Sequence, residues 1–308
     1  MRIVRGLICA AIFLAGSCFG GVPGAAAQDS QFLMPEQSAA KARQLIQQAI
    51  AALGGSAYLN VHDLTCTGRL SQFGHSGDVE GFETFVDYAE PPSKDRTENL
   101  PQRNLIQVFN GDKGWDLDRG GISEAAPTDL IQFQQDTKKD LDNILRHRIH
   151  EQNLIFRYGG PDIVDLHEAD WVEIVDSDNR TIRIALSKAT HLPIRKVVET
   201  RDPVTRNTTQ EIEYYSNFHP IDGVQTPFQI TRERNGLKIY QVFFDKCQYN
   251  TGLSDSLFTR ESLEERWAKV GKKEMEKQAK KDKKNKKDKD KDKDQNADSG
   301  SDSDSDNR

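Results

Sequence analysis

The chain has 308 residues, with 42 basic against 48 acidic side chains, a formal net charge of −6, and four cysteines. Setting aside about +2 at the N-terminus and about +2 at the C-terminus leaves a core near −10, too acidic to favour nucleic acid. Only Cys66 and Cys247 lie in that core, which excludes a disulfide framework and a cysteine zinc site.

Arg2 and Arg5 precede an apolar run from Leu7 to Gly16, and Ala25-Ala26-Ala27 offers small residues for cleavage. This pattern predicts a secretory signal over residues 1–27, cut after Ala27, and hence a periplasmic protein. "AGSC" also places Cys18 after small residues, so a lipid anchor on Cys18 is the minor alternative. Residues 28–271 form the predicted folded domain. From residue 272 to 308 the chain is rich in lysine, then in alternating Lys-Asp and Ser-Asp. Such composition cannot bury enough apolar surface to offset its conformational entropy, so this tail is expected to be a solvated polyampholyte. Its lysines could touch an anionic membrane surface.

"PEQSAAKARQLIQQAIAALGG" is the clearest helix: Ala42, Leu45, Ile46, Ala49, Ile50 and Leu53 form one apolar stripe, Pro35 suits its start, and Gly54-Gly55 stops it. Alternating segments follow, "YLNVHDLTCTGRLSQ", "DVEGFETFVDYAEPP", "KDRTEN" and "RNLIQVFNGDKGW", with turn chemistry at Gly111-Asp112. Pro127 opens a predicted single helix running to His150, its stripe carried by Leu130, Phe133, Thr137, Leu141, Ile144 and Leu145. Strands then return with turn signals at near-regular spacing, through Asp222-Gly223 and Asn235-Gly236, the pattern of an antiparallel meander. Pro227 predicts a strand near an edge or bulge. "SDSLFTRESLEERWAKV" predicts a closing helix.

No phosphate loop, dinucleotide fingerprint or nucleophile elbow is present; "GHSGD" lacks the spacing for the last. His147 and His150 are three apart on a helix, but Arg146 and Arg148 beside them repel a cation. No cofactor, metal or enzymatic activity is expected. Cys66 falls in the first strand and Cys247 in the last. Two free, buried thiols are expected, with a bridge as the alternative should a nearly closed barrel bring those strands together.

The N-terminal helix ending in Gly-Gly, the following strand with Gly68, and then "GFETFVDYAEPPSKDRTE", "VFNGDKGWDLD", "HLPIRKV", "YYSNFHPIDGVQTPFQI" and "LSDSLF" together resemble the bacterial outer-membrane lipoprotein-sorting proteins of the LolA/LolB-like superfamily, over Ala39 to Phe258. The resemblance implies an α+β fold: a strongly curved antiparallel sheet, an incomplete barrel, with helices covering the concave face. It implies a non-catalytic carrier or binder of lipoproteins or other acyl-chain ligands, with a sensor or scaffold that binds an envelope protein partner as the alternative on the same fold. Phe82, Phe85, Trp115, Leu130 and Phe133 are the candidate lining of the cavity, or else part of a filled core, since both use the same residue types.

Overall fold

A computed structural model describes residues 33–269 apart from 179 and 203. The predicted signal, Cys18 and the tail from 272 lie outside the described residues.

Helix α1 spans Pro35–Leu53, and the six stripe residues from Ala42 to Leu53 are its buried ones. Gly54, at φ 131°, ends it. A Cβ there would sit 2.3 Å from the Gly223 carbonyl oxygen, so glycine both stops the helix and admits a later hairpin turn against it. A short helix α2 (Ser56–Leu59) follows.

Six strands come next: β1 Leu64–Phe73, β2 Val79–Glu90, β3 Lys94–Leu100, β4 Ile106–Asn110, β5 Lys113–Asp118 and β6 Gly121–Glu124. After the helical segment come seven more: β7 Ile155–Val164, β8 His167–Val175, β9 Thr181–Ser187, β10 Pro193–Arg201, β11 Thr208–Ile221, β12 Val224–Arg234 and β13 Leu237–Tyr249. They form one 13-stranded antiparallel sheet in the order β6-β5-β4-β3-β2-β1-β13-β12-β11-β10-β9-β8-β7. Two meanders are thus joined where β1 pairs with β13, and β6 and β7 remain as edges of an incomplete barrel. Asp222-Gly223 and Asn235-Gly236 are two-residue hairpin loops with φ of 50° and 84°, and of 51° and 79°. Positive φ at both positions is what a right-twisted hairpin requires.

Three expectations are corrected. The segment from Pro127 to His150 is not one helix. It is α3 (Pro127–Lys139), α4 (Leu141–Arg146) and a 3-10 turn at Arg148–His150. Asp140, extended at ψ 134°, breaks it, because its carboxylate accepts the Asn143 N–H and caps a new helix. Cys66 and Cys247 are not free: they form a disulfide, 181 residues apart in sequence. The reason is register, since the β1–β13 ladder sets Cys66 directly opposite Cys247. Finally, β12 lies inside the sheet. Pro227 is tolerated because the ladder to β13 starts only at Gln229, leaving its side towards β13 without a bond to lose.

Side-chain alternation divides the packing. On the concave face, α1 and α4 lie on β7–β11: Ala42, Leu45, Ile46, Ala49 and Ile50 with Ile144 and Leu145 meet Phe156, Val172, Ile174, Ile182, Ile184 and Val198. On the outer face, a 3-10 turn at Asp255–Phe258 and a helix α5 at 260–269 cover β4 and β5. There Phe258 and Leu263 close on Ile106, Val108 and Leu117.

Candidate ligand groove

Cross-strand register fixes what faces inward elsewhere. Cys66, Asp87, Thr97, Gln107 and Asp116 form one row across β1–β5 on the concave face. Tyr240, Arg232, Glu213 and Lys196 form a row across β13–β10. Helix α3 stands over the ground between these rows and encloses a cavity of about 350 Å³.

One wall of the cavity is an ion network that ties α3 to the sheet. The Lys139 Nζ donates to Glu211 Oε2 at 2.6 Å. Arg232 Nη2 donates to the same oxygen at 3.0 Å and to Asp136 Oδ1 at 2.9 Å. Arg234 Nη2 reaches Glu211 Oε1 at 2.8 Å. Behind this, Lys196 Nζ lies 2.7 Å from Glu213 Oε2, which also accepts the Tyr215 hydroxyl at 2.5 Å. Burial pushes the Asp136 and Glu211 carboxyls up, but Arg232 on the first and Lys139 with Arg232 on the second outweigh it and hold both at about 2.

The opposite wall is unbalanced. The Thr97 hydroxyl donates to Asp87 Oδ1 at 3.1 Å or to Asp95 Oδ1 at 3.4 Å, and having one proton it serves one at a time. Among the described residues neither carboxylate has a salt-bridge partner. Burial pushes Asp87 up to about 6; burial and then the Asp87 charge push Asp95 up as well.

Beyond the Asp87–Thr97 bond the concave face continues as an open groove of about 540 Å³ over β1–β5. Leu70, Phe85 and Leu105 give it apolar surface; Glu83, Asp116 and Asp118 are its charged residues. Gln107 Nε2 donates to Asp116 Oδ1 at 3.1 Å, and burial raises the Asp116 carboxyl above its ordinary value.

The five candidate lining residues separate. Phe85, 8% exposed, lines the groove and meets Phe244 edge-on at 6.1 Å. Phe133 of α3 lines the cavity and stacks on Phe109 with centroids 4.4 Å apart. Leu130 is half-buried on α3 and borders neither space. Trp115 points to the outer face, where it packs with the Phe258–Leu263 cluster. Phe82, 64% exposed, is on the outer face too, opposite Ser71 in the β1–β2 ladder. The charged residues Asp87, Asp95, Asp136, Lys139, Glu211 and Arg232 were not singled out from the sequence. The signal was there: Glu211, Glu213 and Tyr215 alternate in phase, and Arg232 is in phase with Ile230. Among the described residues, no group of three or more His, Cys, Asp or Glu side chains is placed to hold a metal ion.

No family model matches the chain. No curated protein matches it either. Solved structures do. A DUF1329 family protein from Desulfovibrio piger is 15% identical, with a TM-score of 0.53, covering 72% of this chain and 98% of that one. The fold is therefore of that kind, an open curved sheet with helices on its concave face. An outer membrane lipoprotein-sorting protein domain from Vibrio parahaemolyticus matches at 12% identity and a TM-score of 0.49, over 73% of this chain and 99% of that one. A LolA superfamily protein from Nitrosomonas europaea matches at 12% identity and 0.46, over 72% and 99%. These last two bear the family name that the sequence resemblance suggested, but at such TM-scores they add no argument about function.

Proposed function

We propose that the chain is a non-catalytic binding protein of the cell envelope that holds a lipid or lipidated ligand on its concave face, beneath α3. The observation that supports this reading is α3 itself. It is a 13-residue amphipathic helix whose one buried side chain is Lys139, while Leu130, Ile131 and Phe133 stay half-buried or exposed. A helix that keeps its apolar residues out of the core, above a cavity about 350 Å³ in volume, is built like a cover for something apolar. The cavity and the adjoining groove fall in the size range of small-molecule sites, roughly 300–1,000 Å³. Their mixture of Phe85, Leu70 and Phe133 with charged walls suits an amphiphile, its chain along the groove and its polar end at the charges.

The test is native mass spectrometry with lipid extraction on protein purified from the periplasm, followed by uptake of a fluorescent fatty acid by the delipidated protein. Co-purifying lipid and saturable uptake are expected. Protein that is empty as purified and takes up no apolar probe overturns the reading.

A second reading, a sensor or scaffold that binds an envelope protein, is favoured by the way α1 and α4 already fill the apolar half of the concave face. It stands if the protein takes up no lipid.

A further inference from the structure

The charged side chains lining the open groove, Glu83, Asp116 and Asp118, are all acidic. Asp87 and Asp95 continue the row of carboxyl groups into the cavity without an ion-pair partner among the described residues. A surface of one sign attracts an occupant of the other.

The described residues end in α5, on the outer face, where that helix reaches the loop at the rim of this groove. In α5, Arg266 Nη2 donates to the Gln102 carbonyl oxygen at 2.8 Å and Arg266 Nε to that of Arg103 at 3.1 Å. Both carbonyls belong to the loop between β3 and β4. That loop is bounded by Asn99 and Leu105, which line the groove. Six residues after Arg266 begins the stretch from Lys272 to Lys287, with nine lysines against Glu274, Glu276 and Asp282.

We propose that segment 272–287 is the intramolecular occupant of the acidic groove, its lysines set against Glu83, Asp116 and Asp118. Reach is no obstacle, since sixteen residues span up to about 50 Å when extended. Tethering at the rim gives the segment an effective concentration in the groove on the order of millimolar. The acidic run from 288 to 308 offers the same lysines other carboxylates. Those carboxylates stand in the same low-complexity run as the lysines, whereas Asp116 is half-buried, where a cation gains more than in open water. The proposal does not depend on lipid binding: it concerns which part of the chain covers the groove, whatever else enters it.

The test is carbodiimide footprinting of the full chain with glycine ethyl ester, which forms an amide at accessible carboxylates with loss of water. Glu83, Asp116 and Asp118 should react slowly, and about fivefold faster in 1 M salt, where the Debye length falls to about 3 Å. They should also react faster when Lys272→Gln is combined with the same change at the other eight lysines, while Glu168 on the distant β8 stays constant. Without the ester, carbodiimide should couple segment 272–287 to these three carboxylates. In an equal mixture of 15N-labelled and unlabelled protein, those products should carry a single isotope. Unchanged labelling in the lysine variant overturns the proposal. So do mixed-isotope products, which would make the occupant a second copy, and couplings spread evenly over acids on other faces. A groove that takes up lipid with no such protection would refute this inference and leave the ligand reading intact.

Discussion

The two halves of the concave face share one pleat and one alternation, yet they are packed in opposite ways. Over β7–β9 the inward positions hold Phe156, Val172, Ile174, Ile182 and Ile184, and α1 seats six apolar residues on this side of the face. Over β1–β5 the equivalent positions hold Asp87, Thr97, Gln107 and Asp116, and α3 beside them, ion-paired to Glu211 of β11 and Arg232 of β12, buries a lysine. A helix settles onto a sheet only as far as the inward side chains allow. Apolar rows permit close packing, because burial releases water without leaving a polar group unmatched. Charged rows hold the helix off, since each charge must keep a partner or some solvent. The first half is therefore the stabilising part of the molecule, and the second is hollow.

The seam between the halves gives the largest expected effect. The disulfide closes a loop of about 180 residues, for which the chain-entropy model gives about 5 kcal/mol. Reduction, or Cys66→Ala with Cys247→Ala, should lower Tm substantially in a thermal melt, and the unreduced protein should weigh two hydrogens less than the reduced one. Two separate transitions after reduction would show that the halves fold independently and differ in stability as well as in packing.

Leu145→Ala comes next. Leu145 is 1% exposed within the α1–α4 cluster, and truncating such a leucine costs about 2–5 kcal/mol through lost burial and a residual cavity. Denaturant titration should show the midpoint moving with little change in slope. A loss below about 1 kcal/mol would mean that this half is loosely packed too.

Asp87→Asn should act with the opposite sign. The Asp87 carboxyl is held near 6 when folded against an ordinary value of 3.8, so between those values the folded state holds a proton that the unfolded state has released. Stability from this group is present at low pH and is lost as pH rises through 6. Asp136 and Glu211, held at about 2, behave conversely: their contribution is lost as pH falls below the ordinary carboxylate range. The melting temperature should thus peak between about pH 4 and 6. Asp87→Asn should raise stability at pH 7 by on the order of 1–3 kcal/mol and shrink the rise on acidification. A variant less stable than the parent at pH 7 would indicate that a cation holds the Asp87 carboxylate.

The filled half was legible in the sequence because it rests on period alone. The α1 stripe, the Gly54 stop and the two-residue hairpins at Asp222-Gly223 and Asn235-Gly236 each follow from local chemistry, and the structure contains all of them. What local chemistry does not specify is which strands become neighbours. Cys66 and Cys247 looked unpaired until β1 and β13 were placed side by side. Trp115 and Phe133 looked equivalent until the pleat put Trp115 on the outer face under α5, while Phe133, carried by α3, faces the concave cavity. The charged wall was hidden for a further reason: Asp, Glu, Lys and Arg in an alternating strand ordinarily mark its solvent side. Only the sheet's curvature and the helix α3 over it turn Arg232 and Glu211 inward. The break at Asp140 was missed because Leu141, Ile144 and Leu145 keep a helical period across it, while the cap that breaks the helix depends on one aspartate's backbone angle.

Phe133→Asp carries the smallest expected effect on stability and the largest on binding, and it sets the two halves directly against each other. Phe133 is half-buried, and its main contact is the stack on Phe109, a kind of pair worth about 0.5–1.5 kcal/mol beyond the area it buries. At the mouth of a cavity already lined by charge, a new carboxylate can keep its water, so the heavy cost of an unpaired buried ion does not arise. The melting temperature should fall by only a few degrees, as about 1 kcal/mol does in a domain of this size. Uptake of a fluorescent fatty acid should be abolished, because the face that α3 turns to the ligand would carry a charge. The same substitution at Leu145, in the filled half, should prevent folding altogether. If Phe133→Asp unfolds the protein as thoroughly as Leu145→Asp does, the space beneath α3 is packed core and the molecule has no hollow half.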